Sequence, residues 1–482
     1  MKYMKHMKRM KRITLIMLQL VFFAFSGTAC GRTIQQAPEA RHASFTVNVE
    51  NPTTQYLMEH AVSTFERGSR STLDDAEFRS LRSSALDSGY RNDEPQTVQI
   101  HFDMKQTGTA HIEMATDKRF RQHVLDASIE ATKGRNTYIL RNFVPGNRYF
   151  YRVTEGRKVL TQGSIAVTGQ LRMIQASSSW NIRDLGGWTG WHGYQVRYEQ
   201  IYRGGSLGGQ NASHETYFMT DADLAELSRI GIKAHLDLRA MPGKGAWPRD
   251  PKRNAHSLGY TTLPDAHFIN TATDFALYDA TRCSAAVGNV AWIIQQLKEG
   301  RPVYFHCRTG ADRTGVMGYT ILGLLGCDEH TTPAGGNQIA ADYELTSLGM
   351  DEEGTIAFNT YGTHPRNYSN RYANTIETTD YNYFRTLRHM EAGDFDISTF
   401  QLKCYYYLNR YFIDHECESA GRVAINRTDL DWFINYMLGI TDRMGHLAPG
   451  HKTLFKGPDW SIDDASNSLE KAYTTANHKQ YM

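Results

Sequence analysis

The stretch RPVYFHCRTGADRTGVMGYTILGLLG, residues 301–326, restricts the fold more than any other part of the chain. Val303 to Phe305 are a short apolar run that reads as a buried strand. A tight polar loop follows, and an apolar helix begins near Arg313. A helix start leaves backbone N–H groups unpaired and carries partial positive charge. A loop feeding it is a natural anion site. The same field stabilises a thiolate, so Cys307 is expected to be partly ionised near neutral pH. Nucleophile and anion cradle therefore coincide, which suits covalent catalysis on a phosphate ester.

The surroundings extend the pattern. TDADLAELSRIGI reads as a helix with Thr220 as N-cap, KAHLDLR as a strand and NVAWIIQQLKEG as a helix. Alternating strands and helices predict an α/β domain with a central, substantially parallel sheet flanked by helices. Ligands of such sheets bind beyond the carboxyl ends of the strands, where Cys307 falls. TDLDWFINYMLGI reads as a closing helix capped by Thr428.

Residues 44–168 have a different texture. SFTVNVE, TVQIHFD, AHIEMAT, TYILRNF, RYFYRVT and VLTQGSIAV alternate with period two between Gly, Pro, Asn and Asp. They predict a small all-β sandwich, with the polar segment near 60–94 as an insertion. FVPGNRYFYRV resembles the corresponding stretch of fibronectin type III domains. It places Tyr149, Tyr151 and Val153 on one face, with Tyr149 as a corner tyrosine bonded back to the loop.

The first thirty residues are an expected export signal. MKYMKHMKRMKR carries six Lys/Arg and no acid, and ITLIMLQLVFFAF is uncharged and mostly apolar. SGTAC then resembles the lipobox of bacterial lipoproteins, which implies lipidation at Cys30. The other reading is simple secretion. The expected organisation is a signal at 1–30, a tether at 31–43, the sandwich at 44–168, a catalytic domain at 169–448 and a tail at 449–482. An oxidising compartment would let Cys283, Cys327, Cys404 and Cys417 form disulfides, with Cys404–Cys417 the preferred pair. Four buried thiols are the alternative. A formal net charge of +2 without long charged blocks after the N-terminus gives no nucleic-acid signal.

HCRTGADRTG resembles the active-site loop of the protein tyrosine phosphatase superfamily, H-C-x5-R-[ST]. Its Asp-Arg-Thr-Gly ending is similar to a bacterial branch of tyrosine and dual-specificity phosphatases. NIRDLGG (181–187), IYRGGSL (201–207), LDLR (236–239) and DYELTS (342–347) resemble further motifs of that branch, in the same order.

The resemblance implies a phosphocysteine mechanism. Cys307 attacks phosphorus, Arg313 grips two phosphate oxygens, and the loop amides supply further donors. Gly310 admits close backbone approach, Thr314 donates to the departing sulfur, and His306 orients the loop. Arg308, Thr309 and Ala311 complete the cradle. Two aspartates are candidates for the general acid: Asp312 in the loop, and Asp265, whose Pro-Asp resembles the acid loop of other tyrosine phosphatases. Asn181, Arg183 and Asp184 either line the pocket or form a structural turn. Asp237 and Arg239 are expected to pair. The chemistry needs no metal or other cofactor.

The branch commonly has lysine where this chain has Ala311, which weakens a case for polyphosphorylated inositol lipids. The expected substrate is phosphotyrosine, with dual specificity open. Phosphoinositide or inositol phosphate hydrolysis is the alternative, and a non-catalytic phospho-ligand binding protein is the second. The expected partners are thus a phosphorylated protein or lipid, and a membrane through the anchor.

Overall fold

The computed structural model describes residues 35–36, 42–61, 94–176, 179–207, 209–210, 216–217, 219–239, 263, 266–270, 284–307, 310, 312–346, 399–411 and 425–458, with isolated positions in 77–81.

Two sheets form the N-terminal β sandwich. One has the order β1 (Gln35–Gln36), β3 (Val98–Met104), β6 (Gly134–Leu140). The other runs β2 (His42–Asn48), β8 (Lys158–Thr168), β7 (Arg148–Glu155), β4 (Gly108–Ala115), β5 (His123–Ala131). Alternate residues meet in one apolar cluster, including Ile100, Phe102, Ile112, Met114 and Val153. Tyr149, Tyr151 and Val153 do share the buried face of β7. The Tyr149 hydroxyl accepts from the Val144 N–H at 3.0 Å, the expected tie back to the loop.

Three features differ from the sequence expectation. β5 was not legible as a strand. β2 runs parallel to β8. Between β2 and β3 the chain forms a helix, α1 (Pro52–His60), started by Pro52 and capped by the Asn51 side chain on the Thr54 N–H. Leu57, Met58 and Ala61 pack into the core of the α/β domain, away from the sandwich cluster.

That domain is built on a five-stranded sheet. Its order is β14 (His267–Asn270), β13 (Ala234–Asp237), β15 (Val303–His306), β10 (Ile201–Gly204), β9 (Arg183–Asp184). The first three pairings are parallel and only β9 is antiparallel, so the sheet is substantially parallel as expected. A small hairpin, β11 (Gly209–Gln210) and β12 (Thr216–Tyr217), follows β10.

The register divides the two faces. Ile201, Val303 and Ala234 lie abreast and join the larger core with α3 (Ser284–Lys298), α4 (Asp312–Leu324), α5 (Gln338–Glu344), α6 (Phe400–Tyr406) and α7 (Arg427–Met437). Tyr202, Tyr304 and His235 lie abreast on the opposite face. There Tyr202 and Tyr304 pack with Leu224 and Leu227 of α2 (Asp221–Arg229). Thr220 caps α2 by accepting from the Asp223 N–H, as its sequence implies. The cap of α7 is instead Asn426, which accepts from the Asp429 N–H; Thr428 sits inside the first turn. Asn and Thr both serve as caps, and two residues of offset are beyond what pattern alone resolves.

Cys327 and Cys404 are buried. Burial, with Glu329 nearby, pushes the Cys327 thiol well up and leaves it inert. Cys283 and Cys417 lie outside the described residues, and with them the preferred Cys404–Cys417 pairing.

Candidate active site

The site forms where β15 ends and α4 begins. His306 closes the strand, Cys307 follows, and Asp312 is the first residue of α4. Cys307 is 2% exposed, so the sulfur sits at the floor of the loop. Gly310 has φ +74, a left-handed backbone that other residues rarely adopt. A Cβ there would lie 2.4 Å from the Gly204 carbonyl oxygen, so the loop closes only with glycine at this point.

His306 is held from two sides. Its Nδ1 lies 2.6 Å from the Cys307 carbonyl oxygen, and its Nε2 lies 2.7 Å from Nε2 of His235. A carbonyl only accepts, so Nδ1 carries the proton, and the neutral ring then accepts from His235. Asp237 adds a carboxylate 3.9 Å from Nδ1. This arrangement fixes the ring and the cysteine carbonyl, which is an orienting role.

The neighbouring strand end locks the loop's far side. The Leu238 N–H donates to the His306 carbonyl at 2.8 Å, and the Leu238 carbonyl accepts from Arg313 Nη1 at 2.8 Å. Arg313 is partly exposed. Asp237 and Arg239 form the expected pair, with Arg239 Nη2 at 2.7 Å and Nε at 2.9 Å from the carboxylate. Thr314 is fully buried, and its hydroxyl makes no hydrogen bond among the described residues. A buried donor held without a partner is costly and calls for a functional reason.

Behind the loop lies a buried ionic cluster. Asp342 of α5 accepts from Arg183 Nε at 2.8 Å and from Arg203 Nη1 at 2.6 Å. Arg203 Nη2 continues to the Gly310 carbonyl at 3.0 Å. Asn181, at φ +55, donates to Thr346 at 3.2 Å and to the Gly310 carbonyl at 3.4 Å, and accepts from Arg183. Burial pushes the Asp342 carboxyl up, but the two guanidinium groups override it and hold it below the ordinary range. Burial and the adjacent Arg183 lower Arg203 to about 10, while Asp342 and Cys307 act in the other direction. Two arginines against one carboxylate leave positive charge behind the anion loop.

Asn181, Arg183 and Asp184 are thus fully buried and turned toward protein groups. Arg183 and Asn181 brace the loop from behind. Asp184 pairs with Arg172 at 3.0 Å and accepts from the N–H groups of Gly186 and Glu199. Of the two readings their sequence leaves open, this burial accords with the structural turn. Arg308, Thr309, Ala311, Asp265 and the side chain of Asp312 lie outside the described residues.

Sequence reasoning assigned no site role to Arg203, Asp342 or His235. Arg203 and Asp342 both fall in stretches that resemble family motifs, IYRGGSL and DYELTS, and each is a charge in an apolar setting: an arginine inside the strand IYRG, and an acid following Ile-Ala-Ala on a buried helix. A charge in such a position needs a partner.

Residues 174–396 match the model of the tyrosine phosphatase family. A Cupriavidus necator protein provisionally named a tyrosine-protein phosphatase is 27% identical over 192 residues. That match covers 35% of this chain and 64% of the relative, so the chain spans somewhat less than two thirds of the relative's length. Among solved structures, P. aeruginosa TpbA is 17% identical, with a TM-score of 0.18, covering 37% of this chain and 90% of that one. A cysteine-to-serine variant of TpbA in complex with phosphotyrosine is 16% identical, with a TM-score of 0.18, covering 38% and 90%.

Proposed function

We propose that the chain is a cysteine-dependent phosphatase of phosphate monoesters, with phosphotyrosine as the principal substrate. The observation that carries this reading is the buried Cys307 between strand β15 and helix α4, with the partly exposed Arg313 in the first turn of α4 and the Arg183–Arg203–Asp342 cluster tied to the Gly310 carbonyl. Positive charge on both sides favours a bound dianion.

In the first step the Cys307 sulfur attacks phosphorus, the S–P bond forms, and the P–O bond to the leaving alcohol breaks. An aspartic acid protonates the leaving oxygen. Arg313 and the loop amides hold the equatorial oxygens as charge builds on them. In the second step water attacks phosphorus and the sulfur leaves as a thiolate. The buried Thr314 hydroxyl donates to it.

The test is hydrolysis of a small aryl phosphate by the chain from residue 31, in reducing buffer with chelator. Turnover indifferent to chelator is expected. The acid is found by comparing Asp312→Asn with Asp265→Asn. The acid's variant should lose about 10²–10⁴-fold on an ester with a poor leaving group and far less on an activated one. Equal losses on both esters would remove that aspartate from the role. Absence of turnover in well-folded protein would sink the phosphatase reading.

The N-terminal pattern supports export and lipid attachment at Cys30, and so a proposed location in a bacterial cell envelope. Expression with a labelled fatty acid should mark the wild type and not Cys30→Ser. Label retained in the variant would rule out that anchor.

A further inference from the structure

The five-stranded sheet of the sandwich turns one face inward and the other out. On the outward side lies a cavity of about 470 Å³, remote in sequence from the Cys307 loop. Its lining includes Ser44 of β2, Ser164 of β8, Arg148 and Phe150 of β7, and Lys118 and Phe120 of the β4–β5 loop. The volume suits a small ligand or one side chain of a larger one.

The electrostatics are one-sided. The lining holds two cations and no carboxylate. Glu113, on the same face, is already taken by Arg152 through two hydrogen bonds, one of 2.8 Å. Lys118 and Arg148 are both exposed. Lys118 Nζ lies 5.9 Å from the Phe150 ring centroid, and Arg148 reaches the Ser164 hydroxyl at 3.5 Å. Ser164 in turn bonds Ser44 at 2.9 Å, so hydroxyls lie beside the arginine.

The β4–β5 loop is built with care. Phe120 sits at φ +53, a left-handed conformation that is unfavourable for a bulky residue. The Asp117 carboxylate enforces it by accepting from the N–H groups of Arg119, Arg121 and Gln122 at 2.7–2.9 Å. The Arg152 guanidinium stacks 4.3 Å from the Phe120 ring centroid. Strain maintained by this many contacts points to a side chain held in place for a ligand.

We propose that this cavity binds an aromatic anion, with its charged head on Lys118 and Arg148 and its ring against Phe120 and Phe150. Its natural occupant is a phosphorylated aromatic side chain of a polypeptide, which makes the sandwich a second recognition site for a multiply phosphorylated substrate. The choice of occupant rests on the phosphatase reading; the binding of an aryl anion does not.

Hydrogen exchange on the full chain, read by mass spectrometry, separates the two sites by position. The probe is phenylphosphonate, which has no hydrolysable ester. It should slow exchange in residues 117–122 of the wild type, and phenol, which lacks the charge, should not. In the Lys118→Ala/Arg148→Ala variant, half-maximal protection of 117–122 should need at least about tenfold more ligand, as expected when charge-assisted hydrogen bonds are lost. Protection of 306–313 should be unchanged, and aryl phosphate turnover likewise. Unaltered exchange in 117–122 at roughly 10 mM probe would overturn the proposal. So would equal protection by phenol, or protection that survives the double substitution. Protection at 117–122 without protection at 306–313 would uphold the cavity and count against the phosphatase reading. A phosphotyrosine peptide that fails to protect 117–122 where phenylphosphonate succeeds would overturn the assignment of the occupant.

Discussion

Cys307→Ser should lose aryl phosphate turnover by roughly 10⁴-fold or more, with the fold and phosphate binding retained. The reason is nucleophilicity rather than shape. A serine hydroxyl fits the same space but is a far weaker nucleophile than cysteine sulfur. The remaining groups still bind a dianion, so inorganic phosphate should compete with similar affinity in both proteins. Rapid acid quench of the wild type with labelled substrate should trap a phosphoprotein, and the serine variant should trap none. A serine variant with a tenth of the wild-type turnover would rule out the phosphocysteine route.

Asp342→Asn should have the largest effect on stability. Arg183 and Arg203 are both fully buried and share this carboxylate. Removing it leaves two guanidinium groups in the core without their counter-charge. Breaking such a buried pair costs about 3–5 kcal/mol, and the loss should appear in the urea midpoint at pH 7. The wild type carries a matching pH signature. The folded carboxyl titrates below its unfolded value, so its contribution is fully present above about pH 4. It is lost as pH falls through the folded pKa. The asparagine variant should therefore show a flatter decline in stability below about pH 4 than the wild type. A variant as stable as the wild type at pH 7, with the same acid limb, would show that the cluster does not hold the loop.

The strand and helix that flank Cys307 were legible because their information is local: an apolar run of strand length and an apolar helical run stand side by side in the sequence. The parallel sheet followed from the alternation of elements. What was not legible depends on pairing across long separations. Arg203 and Asp342 are 139 residues apart, and His235 and His306 are 71 apart. Nothing in either local pattern names its partner. Strand β5 escaped because most of HVLDASIEA is exposed or half-buried at a sheet edge, so little hydrophobic alternation marks it. Asn181 and Arg183 were correctly picked as unusual, but a turn motif does not say whether it faces the ligand or braces the loop from behind.

Helix α1 has a further consequence. The chain enters the sandwich with β1 and β2, leaves it for the α/β core with α1, returns for β3 to β8, and then departs again. The Met58 carbonyl receives Gly336 at 3.1 Å, and the Ala61 carbonyl receives Asn337 at 2.6 Å. Asn337 caps α5, the helix that carries Asp342. The two lobes are therefore interleaved. No single cut in the polypeptide releases either one intact, and a gene fusion with one junction could not have joined them in this form. During synthesis, α1 leaves the ribosome more than two hundred residues ahead of the segment it braces, so the α/β lobe is completed only when an early part of the chain meets a much later one.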